Sequence, residues 1–306
     1  MKKAEIDVSV IIVNYKTSRL LVDAVDSIFE KTEDLSFEVI VVDNRSQDDS
    51  EQLVRERYGD RVIFLPLPEN IGFGRANNEG IRIAKGRNIL FLNPDTLLMN
   101  NAIGLLSDYL DGHPEAGAAG GNLYSPEGNP NVSFNRVFPS MFDETDQAVL
   151  RLLSRLRFGR NGFFNYTERP IEVGFIVGAD LMVPRKILDR VGGFDPDFFM
   201  YYEETELCWR IRRAKYRIVC VPQARIVHIE GKSFTQSYDR EKRSLVSRRI
   251  YFRKTHSRRY ARWADRNYVF LTAVGLGVSR IFGLKGYRVK LEQRRKILHE
   301  LGNCPV

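Results

Sequence analysis

Four short stretches of the chain hold side chains whose type and spacing suit chemistry. In "RNILFLNPDTLL", Arg87 to Leu98, an apolar run stops abruptly at Asn93-Pro94-Asp95. An acid at the carboxyl end of a buried strand offers a hard oxygen ligand to Mg²⁺ or Mn²⁺ and can hold that metal against a diphosphate. Pro94 restricts the turn that aims it. The same residues equally make a strand-exit turn in which Asp95 caps the next helix. In "FDPDFFMYYEETELCWRIRR", Glu203, Glu204 and Glu206 cluster at a helix start, where the macrodipole favours negative charge. An acid next to the apolar "FFMYY" is also desolvated, which raises its pKa and suits a general base. His228 ends "ARIVHI" and precedes "EGKS". Neutral imidazole is a common ligand for a divalent ion, although a lone His after an apolar strand is more often structural. Finally, "ENIGFGRANNEG" carries Asn70, Gly72, Arg75 and Asn77 into a helix start. Backbone N–H groups there can meet an anion, and Arg75 can pair with a phosphate.

These residues need a scaffold, and the first 120 residues describe one. "VSVIIV", "EVIVV", "RVIFL" and "NILFL" are near-continuous apolar runs, the pattern of parallel strands buried on both faces. "TSRLLVDAVDSIFEKT" places Leu20, Leu21, Ala24, Val25, Ile28 and Phe29 at helical spacing, and "DDSEQLVRERYG" and "GRANNEGIRIAKG" are two further helices, each ending at Gly. Alternating strands and helices with right-handed crossovers give an α/β, Rossmann-like, mostly parallel sheet flanked by helices. Ligands of such sheets sit outside the strands' carboxyl ends, where strand order reverses. That rule selects Asn14-Tyr15, Asp43-Asn44, "ENIGFG" and Asn93-Pro94-Asp95. The first strand runs into "NYKTS", and no GxxxxGK[ST] occurs, so a dinucleotide fingerprint and a P-loop are both unsupported.

Beyond residue 120 the signal weakens. "NLYSPEGNPNVSFNRVFPS" is rich in turn formers and predicts short strands or a substrate loop, and "DQAVLRLLSRLRF" a surface helix. "IEVGFIVGADLMVP" predicts a strand, "RKILDRVGGF" and "EETELCWRIRRAK" helices, and "YRIVCVP" and "ARIVHI" the closing strands. From Tyr238 the chain changes character: "RRIYFRKTHSRRYARWADR" mixes cations with aromatics, and "NYVFLTAVGLGVSRIFGLKG" is less polar but interrupted by Arg280. An interfacial amphipathic helix fits better than a span, so residues 1–237 form the catalytic-type domain and 238–306 a basic helical extension. Residues 240–290 suit an anionic membrane surface.

The chain has 306 residues, 43% of them hydrophobic, and a formal charge of +8. That length supports a substantial core, and that charge favours an anionic partner. Cys208, Cys220 and Cys304 lie far apart with no CxxC pair. Neither a disulfide framework nor a zinc knuckle is expected, and a reducing cytoplasm fits. The N-terminal "MKKAEIDVSVIIV" has too short an apolar run for a signal peptide.

Taken in order, "VSVIIVNY", "VIVVDNRSQDDS", "ENIGFGRANNEG", "ILFLNPD", "VGADLMVPR", "VGGFDPDFFMYYEETELCWR" and the later His228 resemble the family 2 glycosyltransferases of GT-A fold, most closely their bacterial rhamnosyltransferase-like branch. The resemblance covers roughly residues 8–235. It implies an inverting transferase that takes a nucleotide-diphospho-sugar, with dTDP-rhamnose the lead donor, and a divalent metal. It places Asn14 and Tyr15 by the nucleotide and Asp43 on the base or ribose, with Asn44, Asn70, Gly72, Arg75, Asn77 and Asn93 along the nucleotide and diphosphate. Asp95 matches the metal-binding last acid of the DxD motif, His228 a downstream metal ligand of some members, and Glu204 the Asp of the ED motif, the usual base. Glu203 takes that role if the register differs, and Asn93 stands where many members have a first Asp. Gly178, Ala179 and Asp180 are candidates for the sugar or acceptor pocket, Asp180 being unusually polar for its apolar run. The implied acceptor is a glycan or polyprenyl-diphosphate-linked glycan in cell-surface polysaccharide synthesis. The implied location is cytoplasmic, peripheral at the inner face of the membrane, with a homodimer left open. A sugar-nucleotide-forming nucleotidyltransferase and a catalytically silent binding module are the alternatives; nucleic acid is not an expected partner.

Overall fold

The structure is a computed structural model that describes residues 6–148, 152–229 and 237–302. The readings made above for the extreme N-terminus, for "EGKS" and for Cys304 fall wholly or largely outside those residues. The chain runs β1 (Val8–Asn14), α1 (Ser18–Lys31), β2 (Phe37–Asp43), α2 (Ser50–Tyr58), β3 (Val62–Pro66), α3 (Phe73–Ile83), β4 (Asn88–Leu92), β5 (Thr96–Leu98), α4 (Ala102–Gly112) and β6 (Ala116–Tyr124). It continues with β7 (Phe134–Asn135), α5 (Met141–Ala148), α6 (Leu152–Phe158), β8 (Ile171–Glu172), β9 (Phe175–Ile176), β10 (Asp180–Pro184), α7 (Arg185–Val191), α8 (Glu203–Arg213) and β11 (Arg217–His228). Three helices close it: α9 (Ser237–Thr255), α10 (Arg258–Ile281) and α11 (Lys285–Gly302).

Strand order is β3-β2-β1-β4-β10-β6-β11-β5, with β8 paired to β11 and a separate β7-β9 ribbon. The first four strands are mutually parallel, and β6 and β11 are parallel to each other, while β10 runs antiparallel to both its neighbours. The continuous apolar runs are explained by their two faces. Val10, Ile12, Val39, Val41, Leu90 and Leu92 pack with Leu21, Val25, Ile28 and Leu106 of α1 and α4 on one side. Ile11, Val13, Ile40, Val42, Ile89 and Phe91 pack with Ala76, Leu188, Leu207 and Ile211 of α3, α7 and α8 on the other. Each fully buried Val, Ile or Leu contributes roughly 1.5–3 kcal/mol over an exposed one, so both faces must be apolar.

Three elements depart from the sequence expectation. "IEVGFIVGADLMVP" is three short strands, β8, β9 and β10, separated at Gly174 and Gly178. "YRIVCVP" and "ARIVHI" form one strand, β11, with an irregularity between Cys220 and Arg225 where Pro222 cannot donate to the ladder. The Ala/Gly-rich "AGAAGGNLY" is the central strand β6. It lacks β-branched residues because its neighbours come close: a Cβ on Gly120 would collide with Ile176, and one on Gly121 with the carbonyl of Ala224. The expected helix "DQAVLRLLSRLRF" spans the end of α5 and all of α6, and residues 149–151 lie outside the described set.

The basic segment after residue 237 does not stand apart from the sheet at α9. Tyr251 and Phe252 are fully buried with Phe198, and Ala261 and Ala264 of α10 join them. Arg248 is buried and bonds both carboxylate oxygens of Glu144 of α5 at 2.5 and 2.8 Å and Asp265 of α10 at 2.8 Å.

Candidate active site

Strand order reverses at β1: β2 and β3 lie to one side and β4 to the other. A cleft opens there, lined by Val13, Tyr15, Thr17, Asn44, Asn70, Gly72, Phe73, Asn93, Pro94, Asp95, Phe199, Met200 and Arg243. All four selected strand ends contribute to it or to its floor.

The floor is a hydrogen-bond lattice. Asn14 is fully buried and its amide donates to Asp43 Oδ1 at 2.7 Å and to the hydroxyls of Ser46 and Ser50 at 2.9 Å. Thr17 donates to its carbonyl oxygen at 2.8 Å. Asp43 also accepts from the Ser46 backbone N–H at 2.9 Å. These two residues therefore sit beneath the cleft and shape the loop after β2. Asn44 reaches further: it donates to Asn70 Oδ1 at 3.0 Å and accepts from the Ile71 N–H at 2.9 Å, tying "ENIGFG" to the second strand end. Tyr15 stands at the lip, 37% exposed.

The glycine loop has a backbone reason. Gly72 has φ +90°, and a Cβ there would strike the carbonyl of Phe199, which accepts from the Phe73 N–H at 2.8 Å. Only Gly combines that φ with that approach at no steric cost. Arg75 does not line the cleft; its Nε donates to the Pro196 carbonyl at 2.6 Å. Asn77 is buried and bonds back to the Phe73 carbonyl at 3.1 Å. Arg75 thereby braces the loop that leads to the acids of α8, whereas the Asn77 bond stays within α3.

At the other wall Asn93, Pro94 and Asp95 leave β4. Asp95 and His228 are both buried, and Oδ1 stands 3.4 Å from Nε2. The pairing of β5 with β11 brings them together, with His228 opposite Thr96, and the Ile229 N–H donates to the Asp95 carbonyl at 2.9 Å. Two protein donors, one oxygen and one imidazole nitrogen, suit a Mn²⁺ or Mg²⁺ ion that completes its shell with phosphate oxygens and water. Among the described residues no group of three or more His, Cys, Asp or Glu side chains converges, so a shared shell is the form this site allows.

The acids at the start of α8 follow two strained residues. Tyr201 and Tyr202 have φ values of 71° and 68°, conformations that cost bulky residues energy and concentrate at functional sites. Glu203 is buried, and its Oε2 has no hydrogen-bond partner among the described residues. Burial and the charge of Glu204 push its carboxyl well above the usual range. Glu204 is more open, accepts from the Thr205 hydroxyl at 3.1 Å and lies against Gly178; burial raises its pKa as well. Glu206 turns away to Arg210 at 2.8 Å, whose guanidinium also bonds the carbonyls of residues 191–193.

Gly178 thus adjoins an acid, and Ala179 holds Asn93 through a 3.0 Å backbone bond. Asp180 is not exposed to any cavity. It is fully buried within the sheet, accepts from the Gly121 N–H at 2.5 Å, and burial holds its carboxyl well above the usual range. Thr17, Phe73, Phe199, Met200 and Arg243 line the cleft without having been anticipated. Phe199 and Met200 lay in the quoted "FFMYY", whereas Arg243 comes from α9 with no sequence signal beyond the general basicity of that segment.

The model of the family described as glycosyl transferase family 2 matches residues 9–192, more than half of the chain, and the chain belongs to that family. It falls in the rhamnosyltransferase-like branch, with curated rhamnosyltransferases related at 25–31% identity. One, the N-acetylglucosaminyl-diphospho-decaprenol L-rhamnosyltransferase of Mycobacterium tuberculosis, is 31% identical over 214 residues, 64% of this chain and 67% of the relative. Among solved structures, the Pyrobaculum calidifontis mannosyltransferase PcManGT in complex with GDP-Man and Mn²⁺ superimposes with a TM-score of 0.58, 20% identity, and coverage of 97% of this chain and 86% of that one. GalNAc-T7 with UDP, GalNAc and Mn²⁺ superimposes with a TM-score of 0.60 at 16% identity over 80% of this chain, which spans about half (48%) of that protein. The fold is the GT-A fold those enzymes share.

Proposed function

We propose that the chain is a metal-dependent inverting glycosyltransferase that moves a sugar from a nucleotide-diphospho-sugar, dTDP-rhamnose being the lead donor, to a hydroxyl of a glycan or polyprenyl-diphosphate-linked glycan in cell-surface polysaccharide synthesis. The observation that carries this reading is Asp95, paired with His228, lining one cleft with Asn70, Gly72 and Phe73 beside the strand-order switch. The Mycobacterium relative, which by its name acts on a lipid-linked diphospho-sugar, supports the acceptor class. The two superimposed structures, which hold nucleotide or nucleotide-sugar with Mn²⁺, support the donor and the metal.

Glu204 is the general base in this reading. It is the more open of the two adjacent acids, whereas Glu203 is enclosed, and burial together with the charge of Glu204 pushes its carboxyl well above the usual range. Glu204 takes the proton of the acceptor hydroxyl as that oxygen attacks the anomeric carbon, and the bond from that carbon to the diphosphate breaks on the opposite face. One displacement inverts the configuration, and a diphosphate needs no proton to leave. Asp95 and His228 would hold the divalent ion, which when bound would supply positive charge to the diphosphate. Asn44, Asn70 and the N–H groups at the start of α3 orient the nucleotide end.

A thermal-shift panel of dTDP, UDP, GDP and their sugars, with and without Mn²⁺, tests the proposal by linkage. One nucleotide family should raise Tm only with metal, and Asp95→Ala should abolish the rise. A flat panel at millimolar ligand would refute a donor site.

The C-terminal helices supply the membrane partner of this reading. Among the described residues no helix is long and apolar enough to cross a bilayer. Yet Trp263, Phe270, Val274, Val278 and Ile281 of α10, spaced by three, four or seven residues, form one face and are 41–80% exposed. Arg259, Arg262 and Arg266 are exposed beside it. This combination fits shallow insertion into anionic lipid.

A further inference from the structure

The wall of the cleft at the ends of β2 and β3 is built from amides, and most of their polar atoms are already used. Asn44 is buried and engaged at both ends of its amide: Nδ2 donates to Asn70 Oδ1 at 3.0 Å and to the Gly72 carbonyl at 3.3 Å, and Oδ1 accepts from the Ile71 N–H at 2.9 Å. Thr17 gives its hydroxyl proton to Asn14. Asn70 differs from both. It lines the cleft, is partly exposed, and its Oδ1 takes two hydrogen bonds, from Asn44 Nδ2 and from the Gly72 N–H, each at 3.0 Å. Among the described residues its Nδ2 has no hydrogen-bond partner.

A backbone N–H can only donate, so the bond from Gly72 fixes which end of the Asn70 amide is oxygen. Turning the amide over would set its NH₂ against the Gly72 N–H and against the amide of Asn44. Asn70 therefore offers the cleft a hydrogen-bond donor whose polarity cannot reverse. Such a group accepts a ligand that presents an acceptor and disfavours one that presents a second donor.

We propose that Asn70 reads the base of the donor nucleotide: its Nδ2–H donates to a ring carbonyl oxygen, so the site selects a keto base. The proposal rests on the glycosyltransferase reading and deepens it by naming what the base must present. Strand order supports this end of the ligand. Asp95 and His228, beyond β4, lie at the diphosphate in that reading, whereas Asn70 is tied through Asn44 to the end of β2, on the other side of β1. A nucleoside leading away from the diphosphate passes Tyr15 and Thr17, just after β1, before it reaches Asn70. Val13 and Phe73 line the same cleft and supply apolar surface for a ring. Asn93, which also lines the cleft, stands two residues from Asp95 and so at the diphosphate end.

The test compares the full chain with its Asn70→Asp and Asn70→Ser variants, all with Mn²⁺. Asp keeps an oxygen for Asn44 and Gly72 and replaces only the NH₂. Ser keeps a short acceptor for the Gly72 N–H and adds no charge. Calorimetric affinities are measured for whichever of dTDP, UDP or GDP binds the wild type, for ADP, whose base carries an amino group and no carbonyl, and for ribose 5-diphosphate, which has no base. Asn70→Asp should weaken the keto nucleotide by about tenfold to a hundredfold, through a lost hydrogen bond and two acceptors set face to face, and should lower its preference over ADP by a similar factor. Asn70→Ser should weaken the keto nucleotide by about threefold to tenfold and leave ribose 5-diphosphate unchanged. The unliganded Tm of each variant reports on folding, and the serine comparison suffices if the aspartate variant does not fold. Equal nucleotide affinity in all three proteins would overturn the assignment, as would a loss in Asn70→Ser that ribose 5-diphosphate shares. An unchanged preference over ADP in a folded Asn70→Asp would overturn the carbonyl contact. Failure of the wild type to bind any of the three diphosphates would instead overturn the donor-site reading on which the proposal depends.

Discussion

Two adjacent acids at the start of α8 differ in what surrounds them, and the proposed mechanism gives them different work. Glu203 has a carboxyl oxygen with no partner among the described residues, and burial and the charge of Glu204 raise its pKa; Glu204 lies against Gly178, and burial raises its pKa. A base works only in its ionised form, so a raised pKa moves the acid limb of the rate profile upward. We expect kcat/KM to fall as pH drops through the Glu204 pKa, on a limb displaced above the ordinary glutamate range. Glu204→Gln should lower kcat by about 10²–10⁴ while the nucleotide-induced rise in Tm persists, and Glu204→Asp should keep part of the rate. Retention of full activity by Glu204→Gln would transfer the role to Glu203.

At the scale of elements, the loop from Asp195 to Tyr202 is held from two directions. Helix α3 braces it through Arg75 to Pro196 and Asn78 to Phe194, and α9 through Ser247 to Met200. The anchor of α9 is the buried Arg248–Glu144 pair. Removing one partner of such a pair leaves an uncompensated buried charge and costs about 3–5 kcal/mol. Arg248→Met should therefore lower Tm by many degrees, and combining it with Glu144→Gln should return most of the loss, as denaturant titration of wild type, the two single variants and the double variant would show. Additive losses in the double variant would mean that the pair does not act as a unit.

At the scale of the molecule, the donor cleft, the acids and α9 converge at one end of the sheet, and α10 presents its apolar face with a basic border to the outside. Flotation with vesicles containing anionic lipid should capture the protein at low salt. Phe270→Glu with Ile281→Glu should cut that capture at least tenfold while changing Tm little, because both side chains are exposed. Unchanged capture would locate any lipid contact elsewhere. Neutral vesicles should bind less, since each cation near an anionic surface is worth about 1 kcal/mol.

The sequence by itself determined the four leading strands, because a parallel strand covered on both faces must be apolar at every position, as in Ile11, Ile12, Ile40 and Val41. It also determined that polar residues end those strands, since ligands meet such sheets at their carboxyl ends. It did not reveal β6, whose alanines and glycines are selected by the close approach of Ile176 and Ala224 rather than by strand propensity. Nor did it distinguish lining from floor: Asn14 and Asp43 read as ligand residues, yet they spend their polar atoms on each other and on Ser46. Only tertiary structure decided which arginine enters the cleft. Arg75 carries the local signal but finds the Pro196 carbonyl within reach, while Arg243 enters because α9 packs back on Phe198, a long-range contact that no local pattern encodes.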